Sequence, residues 1–362
     1  MAIFGESEVA LHLFLSLFSG LAIFLFYDLG RRLCPRSALA LTVAFALGPA
    51  FLPSQNLMTD VPLVALWLAF FWLLIRGPGT ETPRYAAAAA VAGAACLVKY
   101  TSVVLLPLLL VPVIARREWR RAGVVLIPIG ILAAWSIFNL LDYGGVHLLE
   151  RGAHVGEHSS LVERSEAWLE CLGGVAPFSI AIVPLFERRG RAMTVLASIA
   201  AIAALLYWGS LGTEEGFTPL FKAVLLANGL LVTLVTGAAL KRLPGERRED
   251  VALLAGWFVA GTLFPVLLAP FMAVRHVLPV IPAVLLVLGR CIEDARAPRW
   301  LGAGAGLSVA LGVALAVADW EYADTYREQA RAFLERFGEE TLLWYLGDWG
   351  WRWYAEAEGM RH

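Results

Sequence analysis

The chain has 362 residues, of which 59% are hydrophobic and 16% charged, with a net charge of −1 and a mean hydropathy of +0.70. That is more apolar surface than one soluble core can bury, and the near-neutral charge gives no footing for nucleic-acid binding. In lipid only helices or closed barrels satisfy their own backbone, and the long unbroken Leu-, Ala- and Val-rich runs select helices.

Taken in order, the apolar runs predict an all-α, polytopic transmembrane bundle of about twelve spans. They fall near 9–27, 38–52, 61–75, 85–98, 100–115, 122–141, 174–186, 192–211, 217–240, 251–270, 277–289 and 300–318. As one straight helix, the 31 residues from Tyr85 to Ala115 would reach about 47 Å, too long for an upright crossing. A break at Lys99-Tyr100 divides them. Alternate loops are rich in Arg and Lys: Arg31, Arg32 and Arg36; Arg76 and Arg84; Arg116, Arg117, Arg120 and Arg121; Arg188, Arg189 and Arg191; Lys241, Arg242, Arg247 and Arg248; Arg290, Arg296 and Arg299. These hold 19 of the 29 basic residues, and merging the pair at Lys99 would destroy the alternation, so charge supports the same break. By this pattern the basic loops are cytoplasmic and both termini lie outside.

Two outer segments interrupt the short loops. Residues 142–173 mix charges with apolar residues at spacings that suit a helix on the membrane surface. After a membrane core of residues 1–318 comes an outer tail, 319–362, with an aromatic belt at Trp320, Tyr322 and Tyr326. The tail is then expected to form a helix and a final strand and helix, an α/β-like start of a small soluble domain. Met1 to Glu8 is acidic, unlike the basic start of a signal peptide. The four cysteines fall on different sides or within the bilayer, so topology offers no disulfide pair.

Five chemically active side chains fall on one face in this topology: Asp60 at the lip of the third span, Lys99 and Tyr100 at the fourth turn, and Arg275 and His276 before the eleventh span. Singly, Lys99 or Arg275 is explained by snorkelling to the headgroups. Two cations converging with a carboxylate point instead to an anionic ligand such as a phosphate. His147, His154 and His158, with Glu150 and Glu157 between them, include an i, i+4 pair able to ligate metal, but a solvated loop explains them better. Gly302, Gly304 and Gly306 lie inside a span and suit helix packing, and no phosphate-binding GxxxxGK[ST] loop occurs.

The ordered stretches NLMTDVPL, GAACLVKYTSVVLLPLLLVPV and AVRHVLPVIPAVLLVLGR resemble bacterial membrane glycosyltransferases of the GT-C class, the protein-mannosyltransferase and lipid A aminoarabinose transferase group. The resemblance implies an inverting transfer of a sugar from a polyprenyl phosphate carrier to a lipid, glycan or protein acceptor on the outer face of a bacterial inner membrane. It implies that Lys99 and Arg275, with Tyr100 and His276 beside them, hold the carrier phosphate. Asp60 matches an acidic position able to help hold a divalent metal, Mg or Mn, or to orient the acceptor. It also implies a preceding span and a first outer loop carrying the catalytic base. Here that base has no matching position, and neither Glu6 nor Glu8 takes its role. On that expectation the chain is a core that is truncated, wrongly started or degenerate. A transporter or flippase of a lipid-linked or anionic solute is the competing expectation, since it too would carry about twelve spans and charges within the membrane.

Overall fold

A computed structural model of the chain describes residues 7–75, 82–147, 160–185, 217–241, 243, 248–269, 271–294, 298–337 and 342–362. Helix α1, Glu8–Leu33, starts where the Ser7 hydroxyl accepts the Ala10 amide. It carries Glu8 in its first turn and Arg31 and Arg32 in its last, as the helix dipole favours. Helix α2, Ala38–Ala46, stops before Gly48-Pro49, so the apolar residues after it do not continue the expected span. Ala50 and Phe51 are nevertheless buried, in turns rather than helix.

Helix α3, Asp60–Leu74, is buried along most of its length between α1 and α4, Thr82–Val98. The Ala-rich face of α4 permits that close approach, with Ala88, Ala89, Ala92 and Ala95 fully enclosed. At Lys99 the chain turns extended, with φ −157° and ψ 125°, which ends α4 where length and charge require a break. A 3-10 turn, Tyr100–Val104, and two short helices, α5, Leu105–Leu108, and α6, Leu110–Arg116, carry the chain back. After a second 3-10 turn, Trp119–Val125, helix α7, Leu126–Tyr143, ends on Gly144 in the left-handed region, φ 74°.

Helix α8, Leu161–Gly174, opens with a capping box in which the Ser160 hydroxyl accepts the Glu163 amide and the Glu163 carboxylate accepts that of Ser160. It buries Trp168, Leu172 and Gly173 and packs on α9, Phe217–Leu240; a 3-10 run, Pro177–Leu185, follows α8. Helix α10, Arg248–Leu268, precedes the four-residue α11, Val274–Val277, and α12, Ile281–Asp294. Residues Ala283 to Leu288 of α12 are enclosed, and Trp257 of α10 stacks on Phe71 of α3 with ring centroids 3.9 Å apart. The Trp257 indole also donates to the Pro279 carbonyl at 2.7 Å, fixing the turn between α11 and α12.

The expected last span and the helix after it are one 40-residue helix, α13, Pro298–Phe337. The expected terminal strand is reduced to a single parallel bridge, Trp344 to Arg361, beside α14, Trp349–Ala357. No strand forms among the described residues. Ala330, Tyr345, Ala355 and Met360 make a small separate core for the tail.

Five described helices are long and apolar enough to cross a membrane: Glu8–Leu33, Trp119–Tyr143, Leu220–Leu240, Arg248–Leu268 and Arg299–Phe337. Shorter apolar helices lie at Asp60–Leu74, Thr82–Val98 and Tyr100–Arg116, and the expected span near 192–211 lies outside the described residues. The protein is therefore a multi-pass integral membrane protein. At the basic helix ends, Arg32 donates to the Trp72 and Ile75 carbonyls and pairs with Asp28, satisfying the end of α3. Arg116 of α6 grips Glu249 of α10 with both arms, its Nε 2.6 Å from Oε2.

Candidate anion site at the helix mouth

Asp60 occupies the first turn of α3, where the exposed amides of a helix start favour negative charge. Its side chain is only 6% exposed, and Oδ1 accepts the Lys99 ammonium at 2.9 Å. Lys99 reaches it because α3 and α4 run side by side and the chain turns at that residue. The Lys99 side chain, paired with that carboxylate, is itself 26% exposed.

Arg275 lies on α11. Its Nη1 is 3.5 Å from Met58 Sδ, two residues before Asp60, and its guanidinium sits 5.3 Å above the Phe271 ring. No carboxylate among the described residues pairs with it. His276, next on α11, is held at a pKa of about 4 by burial first and then by Lys99 and Arg275, with Asp60 opposing. It is therefore neutral at physiological pH, and its Nδ1 has no hydrogen-bond partner among the described residues. Lys99, Arg275 and Asp60 all act electrostatically on this one ring, and Arg275 contacts Met58 two residues before Asp60, so four of the expected residues lie in one neighbourhood.

Tyr100 is turned to other partners. Its hydroxyl accepts the Trp135 indole at 3.0 Å and shares a 3.2 Å hydrogen bond with His147 Nδ1. Neither Trp135 nor His147 stands out as its partner in the sequence, because nothing in an apolar span advertises which indole faces a tyrosine. Met58 and Phe271, the neighbours of Arg275, were equally silent. The next residue but one to Tyr100, Ser102, is fully buried and accepts the Trp67 indole at 2.9 Å, which ties the turn after Lys99 to α3.

The described residues contain no group of three or more His, Cys, Asp and Glu able to hold a metal. At this mouth Asp60 Oδ1 accepts from Lys99. His154, His158, Glu150 and Glu157 lie outside the described residues, as does Glu6. Glu8 is engaged elsewhere, by Arg327 at 3.4 Å and the Tyr354 hydroxyl at 3.2 Å.

No curated protein matches the chain. The crystal structure of ArnT from Cupriavidus metallidurans bound to undecaprenyl phosphate aligns with a TM-score of 0.48 at 15% identity, covering 98% of this chain and 72% of that one. The apo structure of the same protein aligns with a TM-score of 0.45 at 16% identity and the same coverage. Residues 1–140, which hold Asp60, Lys99 and Tyr100, match the sequence profile of the dolichyl-phosphate-mannose-protein mannosyltransferase family. The resemblance carried by NLMTDVPL and VKYT is thus supported independently, and in its first 140 residues the chain is similar to that family of GT-C membrane glycosyltransferases.

Proposed function

We propose that the protein transfers a sugar from a polyprenyl phosphate carrier to an acceptor on the outer face of the membrane, with inversion at the anomeric carbon. The observation that carries this reading is that Lys99, paired with Asp60 in a stretch matched by a phosphate-carrier glycosyltransferase family, and Arg275, beside Met58 of the same stretch, both bear on His276. The acceptor oxygen or nitrogen forms a bond to the anomeric carbon as the bond from that carbon to the phosphate oxygen breaks. The electron pair leaves with the phosphate, and the acceptor proton passes to a base. Lys99 and Arg275 bind the phosphate and stabilise the charge it gains, since fixed cations in a site shielded from water act strongly on charge that develops late. Neutral His276 offers a ring nitrogen beside them without a further positive charge.

Lys99→Ala and Arg275→Ala are each expected to weaken binding of farnesyl phosphate to the detergent-solubilised protein. Hydrogen bonds to charged groups contribute ~1.5–3 kcal/mol, or about ten- to a hundredfold in affinity. Unchanged affinity in both variants, with normal gel-filtration profiles, would return the two cations to snorkelling.

A further inference from the structure

The ion pair between Asp60 and Lys99 raises a question that phosphate binding alone leaves open. A carboxylate 2.9 Å from the ammonium, and nearly buried, opposes the anion that the ammonium is meant to receive. Structural need explains it poorly, because a buried ion pair is often no more stabilising than apolar residues of the same volume. The pair is also asymmetric: Asp60 is enclosed, while Lys99 is partly exposed.

Counting fixed charge at the mouth gives a reason. Lys99 and Arg275 are positive, Asp60 is negative, and His276 stays neutral. Among the described charges that act on His276, the sum is one positive unit. A carrier phosphate bearing a sugar is a phosphodiester with one negative charge. Once the sugar has left, the carrier is a phosphomonoester, whose second ionisation near pH 6 gives it close to two.

The geometry points to Asp60 as a charge-setting residue: by pairing with Lys99, it matches the mouth to a singly charged phosphodiester and disfavours the doubly charged phosphomonoester that remains after transfer. This rests on the carrier-phosphate reading above and adds to it a role in specificity and product release. Asp60 is here a positioning residue that acts through Lys99.

The test compares two probes, farnesyl phosphate and its methyl ester, bound to the full chain in detergent at pH 8. The quantity read is the ratio of their affinities. Asp60→Asn adds one net positive charge and is expected to shift the ratio about tenfold toward the monoester, as Coulomb interaction across a few ångströms near a protein surface requires. Asp60→Glu, which keeps the charge, should keep the ratio. Arg275→Gln removes a positive charge and should move the ratio the other way, which decides the matter even if Asp60→Asn does not fold. A loss of packing alone would weaken both probes together and leave the ratio where it was. If the wild-type protein binds neither probe, or binds them equally well after Lys99→Ala, the carrier-phosphate reading fails and this inference with it. If binding depends on Lys99 but the ratio stays fixed in both charge variants, only the charge-setting role is overturned.

Discussion

Lys99 and Tyr100 are neighbours in the chain, yet one turns to Asp60 and the other to Trp135 and His147. The extended backbone at Lys99 separates them, since successive side chains of an extended segment point opposite ways. The charges at the mouth were legible in the sequence because an ionisable residue beside an apolar run is conspicuous. Their pairing was not, because nothing in a linear pattern says that Lys99 meets Asp60 before it meets a ligand. The buried His276 carries a testable consequence. Its folded-state pKa of about 4 lies below the ordinary histidine value of 6.5. On acidification the unfolded chain therefore takes up the proton first. Its contribution to stability is complete above pH 6.5 and is lost as pH falls toward 4. The melting temperature should drop across that window in the wild type and drop less steeply in His276→Asn. Parallel curves would show that the ring titrates normally.

Among the elements, α8 and α9 meet through glycine. A Cβ on Gly173 would run into the Leu225 carbonyl and come within 2.7 Å of the Gly229 amide nitrogen, all backbone that cannot step aside. A Cβ on Gly174 would instead find Leu225 methyl groups at 3.8 Å, an ordinary contact. Gly173→Ala is thus expected to destabilise by at least the ~1–3 kcal/mol typical of overpacking, whereas Gly174→Ala should be tolerated. Thermal unfolding in detergent reads the difference, and equal melting temperatures would argue against so close a crossing. The sequence shows the Gly-Gly pair but not which glycine faces a helix. Other boundaries were legible to different degrees. The stop at Val98 followed from length and charge, two constraints that agree. The continuity of α13 did not, since the apolar pattern marks where lipid ends while the helix continues through ADWEYADTYREQARAFLERF on the strength of its own helix-forming residues.

For the whole molecule, the start of α1 and the C-terminal tail share one end: Arg327 of α13 bonds both Glu8 of α1 and the Tyr354 hydroxyl of α14. The charge pattern assigns that end to the outside and the basic turn at Arg120 to the inside. In a background without native cysteines, Glu328→Cys should react with a membrane-impermeant thiol reagent on intact cells, and Arg120→Cys only after the membrane is opened. The reverse pattern would invert the topology and move the mouth at Lys99 to the cytoplasmic face. Helix α13 has 40 residues and so is about 60 Å long, roughly twice the ~30 Å of a bilayer's hydrocarbon interior. It is a lever arm with its fulcrum in the lipid. A change of ~10° in its tilt, of the kind a thinner or thicker bilayer imposes, swings its far end by about 5 Å. Because Arg327 ties that lever to Glu8 at the start of α1, a difference in tilt between the two helices falls on this one ion pair.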